Sequence, residues 1–116
     1  MTALKFQALA LAIPDAVKGA HMGHADFRVG GKIFATLGYP DGDHGMVKLS
    51  PKRQKDFIER APMAFSPCSG IWGKNGSTSV CLAEAKVADV REALAAAREL
   101  LMSGIKPKPP AKKARK

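Results

Sequence analysis

A glycine pair between two alternating apolar runs constrains the fold of this chain more than any other feature. In "ADFRVGGKIFATLGYP", apolar residues occupy every second position on both sides of Gly30 and Gly31. Two consecutive glycines supply the positive φ angles that a two-residue hairpin turn requires. The run therefore predicts a β-hairpin with one face of each strand turned towards a core. The expected core positions are Phe27, Val29, Ile33, Ala35 and Leu37.

The segments on either side of the hairpin predict a helix before it and a strand after it. A first helix is expected to begin after Thr2 as N-cap and to end before Pro14. Its expected apolar face contains Leu4, Ala8 and Leu11. "AVKGAHMGH" then predicts irregular backbone or a short edge strand. "MVKLS", after a turn rich in Pro, Gly and Asp, predicts a third strand.

The second half of the chain predicts a helix, a second hairpin and a long final helix. Ser50 followed by proline is typical of a helix start, so "PKRQKDFIER" is predicted to be helical. "APMAFSPCSG" is expected to be a loop. Residues 70–73 and 77–82 are expected to pair as strands around a turn at 74–76. The last helix is predicted from Asp89 and Glu92, spaced as in a capping box, followed by apolar residues at three- and four-residue steps.

This order predicts an α+β domain over residues 1–104, with helices packed on one face of an antiparallel sheet. The remaining segment is rich in Lys and Pro and has no apolar periodicity, so a disordered tail is expected over residues 105–116. The formal net charge is +9, of which the six basic residues of the tail carry +6 and the domain +3. A basic excess suits an anionic partner such as nucleic acid without identifying it.

Several stretches resemble the bacterial MmcQ/YjbR family, whose ascribed activity is DNA binding. They are "FRVGGKIFATL", "VKLSP" and the pair Trp72-Gly73, and the resemblance extends from about Leu4 to Ser103. It implies a CyaY-like α+β fold and a double-wing mode of DNA binding. The Lys/Pro tail, Cys68 and Cys81 depart from the family pattern, so the resemblance implies nothing about them.

Basic residues interleaved with aromatic ones are the main candidates for binding nucleic acid. Strand alternation places Arg28, Lys32 and Lys48 opposite core positions, so they would share an open sheet face if the three strands are neighbours. A second group lies at the next helix start, where backbone N–H groups attract phosphate. The remaining candidates lie at the predicted hairpin tip and in the tail. The residues outside the sheet are Lys52, Arg53, Trp72, Lys74, Asn75, Lys106, Lys108, Lys112, Lys113, Arg115 and Lys116.

The sequence allows two interpretations of Trp72. It is the single tryptophan of the chain and is flanked by glycine at position 73. An indole beside glycine is more typical of a structural plug than of a stacking surface. Lys74 and Asn75 are therefore favoured over Trp72 as contacts, although Trp72 is kept among the candidates.

The sequence predicts neither a metal site nor an enzyme. His21, His24, His44 and Cys68 lack the spacing of a known metal site, and no cofactor is expected. No serine has the context of an activated nucleophile. Asp41 and Asp43 are explained by turn chemistry. Cys81 falls in an apolar strand pattern and is expected to be a small core residue.

The leading hypothesis is a cytoplasmic, monomeric protein that binds nucleic acid, DNA rather than RNA, through its basic surface and tail. No membrane partner is expected, since no apolar run approaches the roughly 18 residues of a membrane helix. The alternative is a protein–protein adaptor without a role in nucleic-acid binding. The domain charge of about +3 is compatible with either.

Overall fold

The protein is described by a computed structural model that covers residues 1–21, 23–38 and 41–105. These residues form four helices and six strands. In chain order the elements are α1 (Ala3–Leu11), β1 (Val17–His21), β2 (His24–Val29), β3 (Lys32–Leu37), β4 (His44–Lys48), α2 (Pro51–Arg60), β5 (Phe65–Pro67), α3 (Gly70–Lys74), β6 (Ser77–Cys81) and α4 (Val87–Ile105).

The strands form one sheet in the order β1-β2-β3-β4-β6-β5, and all neighbours are antiparallel. Helices α1 and α4 pack against it, so the predicted α+β class is confirmed. "AVKGAHMGH" supplies the edge strand β1. The glycine-pair hairpin is also confirmed: Gly30 and Gly31 have φ angles of 60° and 80°, as a primed turn requires.

A β-bulge in the first hairpin corrects the predicted alternation of β3. Phe27 pairs with Ala35 whereas Arg28 pairs with Ile33, so Phe34 is the extra residue. Phe34 is fully buried, and Ile33 is only half-buried. The prediction that Ile33 is a core residue was therefore wrong. A bulge interrupts the two-residue period, and simple alternation does not anticipate it.

The buried face of α1 also differs from the prediction. Phe6, Leu9 and Ala10 are buried, whereas Leu4 is 76% exposed and Leu11 is 37% exposed. The Phe6 ring packs 6.3 Å from the ring of Phe27, centroid to centroid. Burial of the large aromatic side chain of Phe6 stabilises the fold more than burial of Leu4 or Leu11 would, so Phe6 sets the rotation of the helix.

The predicted second hairpin is wrong, because residues 70–74 form the short helix α3. The strand that pairs with β6 on this side is β5, which lies within the segment predicted to be a loop. Position 73 requires glycine, because a Cβ there would lie 1.9 Å from the carbonyl oxygen of Cys68. Glycine thus allows the helical turn of α3 to pack directly against the backbone of Cys68.

The predicted capping box of the last helix is also wrong. Helix α4 begins at Val87, so Asp89 already lies in its first turn. Glu92 instead accepts hydrogen bonds from the guanidinium of Arg60 at 2.9 and 3.1 Å, and this interaction lowers the pKa of Glu92. The expected apolar face is confirmed at Val90, Ala93, Leu94 and Ala97, whereas Leu100 is 40% exposed. No helix within the described ranges is long and apolar enough to cross a membrane.

The start of α2 is as predicted, and one buried amide connects this helix to α3 and β6. The side-chain oxygen of Ser50 accepts a hydrogen bond from the backbone N–H of Arg53. Gln54 is buried, and its Nε2 donates to the carbonyl oxygens of Gly73 and Ser77, at 3.0 Å each. One side chain thus holds both the helix and the strand that follow β5.

We expect Gln54→Leu to lower the free energy of unfolding by ~1–3 kcal/mol, because two buried carbonyl groups each lose one of their donors. Urea denaturation followed by circular dichroism would measure this loss. The exposed neighbour Lys55 provides the control, since Lys55→Leu removes no buried hydrogen bond. Equal stability of the two variants would contradict the proposed anchoring.

Candidate nucleic-acid interface

A surface cleft of about 700 Å³ brings together residues from six of the elements and the first hairpin turn. We call it the wing cleft. Its lining consists of Arg28, Gly31, Lys32, Ile33, Thr36, Met46, Lys48, Trp72, Ser77, Ala97, Leu100 and Leu101. Four of the residues predicted to bind nucleic acid are among them: Arg28, Lys32, Lys48 and Trp72. Residues far apart in the sequence therefore converge on one surface.

The cleft lies where the two halves of the sheet separate. The register between β3 and β4 pairs Ala35–Leu37 with Gly45–Val47, and it does not extend to Lys32 or Lys48 in the described sheet. On one side is the half formed by β1, β2 and β3, and on the other the half formed by β4, β6 and β5. The C-terminal half of α4 contributes Ala97, Leu100 and Leu101 to the cleft. The result is a groove with basic strand ends and an apolar helix face.

Arg28 is held in place by an ion pair with a buried carboxylate. Its Nε donates to Asp26 Oδ1 at 2.8 Å and its Nη2 donates to Asp26 Oδ2 at 3.0 Å, and Asp26 is fully buried. The carboxylate raises the pKa of Arg28, first through the hydrogen bond and then through charge attraction. Glycine at position 19 leaves room for the pair, because a Cβ there would lie 2.7 Å from Asp26 Oδ1. Asp26 therefore balances the charge of Arg28.

Lys32 and Lys48 supply the remaining positive charge of the cleft. Both are exposed, one at the start of β3 and the other at the end of β4. Among the described residues that line the cleft, none is an Asp or Glu. The local field is therefore positive, and it favours anionic ligands.

Trp72 contradicts the interpretation as a structural plug. Its side chain is 66% exposed and borders the wing cleft from α3. The glycine that packs closely is its neighbour: Gly73 is buried against Cys68, and this contact leaves the indole outside the core. The flanking glycine correctly indicated close packing. However, it is the backbone of Gly73 that packs closely, and not the aromatic ring of Trp72.

The other predicted contacts do not line the wing cleft. Lys52 is exposed at the start of α2, and Lys74 and Asn75 are exposed at the end of α3. Arg53 Nη2 donates to Glu92 Oε2 at 3.4 Å, and the guanidinium lies 5.5 Å from the centre of the Phe57 ring. Its charge is thus already engaged. The six basic residues of the predicted tail, 106–116, lie outside the described residues.

The apolar part of the cleft was not predicted from the sequence. Ile33 and Met46 are half-buried beside the lysines, and Leu100 and Leu101 face them from α4. The bulge at Phe34 turns Ile33 towards the cleft. The exposure of Leu100 could not be predicted from the sequence, because this residue continues the apolar periodicity of the helix.

Among the described side chains, the histidines and cysteines do not assemble into a second site. His44 Nδ1 lies 2.8 Å from Asp41 Oδ1 within a turn, and this hydrogen bond lowers the pKa of Asp41. Within the described ranges, no group of three metal-binding side chains occurs. Cys68 and Cys81 are free and half-buried. Burial raises the pKa of the Cys68 thiol, which disfavours the reactive thiolate.

Comparison with known proteins agrees with this architecture. The fold is similar to that of the Deinococcus radiodurans protein DR2400, a protein with a DUF419 domain known from its crystal structure. The similarity has a TM-score of 0.75 at 16% sequence identity and covers 92% of this chain and 83% of DR2400. At this identity the likeness concerns the fold alone. No curated protein matches the sequence.

The family profile of YjbR matches residues 11–100, which include every strand of the sheet and most of α4. The matched range also contains the four candidate residues of the wing cleft. The match extends over most of the chain, and it shows that this chain belongs to the YjbR family.

Proposed function

We propose that the protein binds nucleic acid, in the first place DNA, by neutralising backbone phosphates in the wing cleft. The convergence of Arg28, Lys32 and Lys48 on one groove, with no Asp or Glu among its described lining residues, carries this proposal. Lysines bind phosphates as mobile point charges, which gives affinity with little sequence preference. The proposal is a binding function and includes no catalytic step.

Each cleft cation has a distinct part in this proposal. Lys32 and Lys48 lie on opposite halves of the sheet, so a strand of phosphates along the groove meets both. Arg28 is fixed by Asp26, and its side chain remains 36% exposed. Because Asp26 balances its charge, Arg28 contributes orientation more than net attraction. The basic tail would add affinity that depends on salt in the same way.

The salt dependence of binding tests this assignment. For duplex DNA, a plot of log K against log salt concentration has a negative slope, and its magnitude is about 0.9 for each neutralised phosphate. We expect the double variant Lys32→Gln/Lys48→Gln of the full chain to reduce the magnitude of this slope by about 2. Fluorescence anisotropy of a labelled duplex, titrated at several salt concentrations, measures it.

The matched control is Lys5→Gln/Lys55→Gln, which removes the same charge from exposed positions on α1 and α2 outside the cleft. The tail is identical in both variants, so its contribution cancels. Equal slopes for the two double variants would show that the cleft does not hold the phosphates. Absence of a salt slope in the unaltered protein would contradict binding of duplex DNA through its phosphates.

A further inference from the structure

We propose that the ligand of the wing cleft is single-stranded nucleic acid, with one unpaired base stacked on the indole of Trp72. This inference rests on the proposed function and goes beyond it, because phosphate binding alone does not need an aromatic side chain. Four observations carry it: the exposure of the indole, the rigidity of the backbone that holds it, the apolar part of the cleft, and the position of the lysines.

The exposure of Trp72 is unusual for its size. Tryptophan is highly buried on average, and an exposed indole forgoes more apolar burial than any other side chain would. Ile71, its neighbour on α3, is exposed to a similar degree, 64% against 66%, but does not line the cleft. Of this exposed apolar pair, the aromatic member is the one that borders the basic groove.

The backbone beneath Trp72 is firmly held. The carbonyl of Gly73 accepts a hydrogen bond from Gln54 Nε2 at 3.0 Å, and Gly73 packs directly against Cys68. The N–H of Asn75 donates to the carbonyl of Ile71 at 3.0 Å, and the N–H of Gly76 donates to that of Gly73 at 3.1 Å. A backbone held in this way needs no further ordering when a planar ligand covers the indole, so the entropic cost of binding is reduced.

The remaining surface of the cleft favours an unpaired strand over a duplex. In a duplex the base faces are stacked on one another, and the outside presents phosphates and groove edges. In a single strand the base faces are free to stack on aromatic side chains while the phosphates follow a basic groove. The wing cleft has surfaces for both parts: Trp72 with Met46 and Leu100 for bases, and Lys32 with Lys48 for phosphates.

The test compares three probes of the same length, about 12 nucleotides, which is within the range of known single-strand sites. They are an oligothymidylate, an abasic strand with the same phosphates but no bases, and a duplex. The chain has one tryptophan and one tyrosine, so fluorescence excited selectively at the tryptophan absorption edge reports on Trp72 alone. We expect the oligothymidylate to quench this fluorescence and the abasic strand to leave it nearly unchanged.

Substitutions of the full chain separate stacking from charge. We expect Trp72→Ala to weaken oligothymidylate binding by about 5- to 150-fold, the range found for one stacked base. Binding of the abasic strand should be unaffected. Trp72→Phe should recover part of the loss, because it restores an aromatic face. Ile71→Ala is the matched control, since it removes an equally exposed apolar side chain from the same helix.

Two results would overturn this proposal while leaving phosphate binding in place. One is equal affinity for the oligothymidylate and the abasic strand, with a normal salt slope. The other is duplex binding that is as tight as strand binding and equally sensitive to Trp72→Ala, because the indole would then act as a wedge in paired DNA. Failure to bind all three probes at low salt would overturn the proposed function itself.

Discussion

Replacing Gly76 with alanine is expected to destabilise the fold by at least ~3 kcal/mol, for two separate reasons. Gly76 has a φ angle of 108°, a region that residues with a Cβ rarely adopt. A Cβ at this position would also lie 1.8 Å from the carbonyl oxygen of Leu49. The obstructing atom belongs to the backbone, so no side-chain rotation can relieve the clash.

The consequence reaches the wing cleft. The N–H of Leu49 donates to the carbonyl of Gly76 at 3.2 Å, and the next pair in the register joins Lys48 to Ser77. Both members of that pair line the cleft. A shift at Gly76 that spared the fold would therefore displace Lys48, and both stability and binding should be measured.

Two other glycines separate the effects of backbone strain and steric clash. Gly31 has a φ angle of 80°, and a Cβ added there would have no neighbour within 4 Å, so Gly31→Ala should cost about 1–2 kcal/mol. Gly42 has neither a positive φ nor a close neighbour, and Gly42→Ala should stay within about 0.5 kcal/mol. Chemical denaturation of the three variants provides the ranking. A Gly76→Ala variant as stable as Gly31→Ala would refute the steric argument.

Phe57→Ala is expected to lower the free energy of unfolding by ~3–5 kcal/mol, as is usual when a fully buried aromatic ring is removed. The ring of Phe57 packs 5.3 Å from that of Phe65, centroid to centroid, and thereby joins α2 to β5. The guanidinium groups of Arg60 and Arg53 lie 4.8 and 5.5 Å from its centre. Alanine would leave a cavity and would also remove the support under both arginines.

Phe57→Leu provides the comparison, because it keeps most of the apolar volume and loses the aromatic face. We expect its loss to be no more than ~2 kcal/mol. Guanidinium denaturation at neutral pH would measure both variants. Equal losses would mean that the volume of the ring is unimportant, contrary to the packing of α2 on the sheet.

The arrangement of the candidate site could be predicted only in part. Alternation correctly placed Lys48 opposite the buried Val47, and the sheet order makes β2, β3 and β4 neighbours. The end of the β3–β4 pairing at Ala35 could not be predicted, because no local sequence feature marks where two paired strands stop. The apolar side of the cleft comes from α4, whose Leu100 is near the other end of the chain from Lys32.

Features that depend on local chemistry could be predicted from the sequence alone. The glycine pair specifies a tight hairpin, Ser50 and the proline after it specify a helix start, and Thr2 caps α1 by accepting from the N–H of Lys5. Each of these involves groups within a few residues of one another. Their energies are therefore nearly independent of the rest of the fold.

Tertiary structure decided the features that depend on competition between distant groups. Phe6 on Phe27 rotated α1 away from its predicted face, and the bulge exchanged Ile33 for Phe34 in the core. The close approach of Gly73 to Cys68 made a helix of a predicted strand and left Trp72 exposed beside the lysines. Burial and steric fit are properties of the assembled molecule, so a pattern within one segment cannot reveal which of its side chains the core will accept.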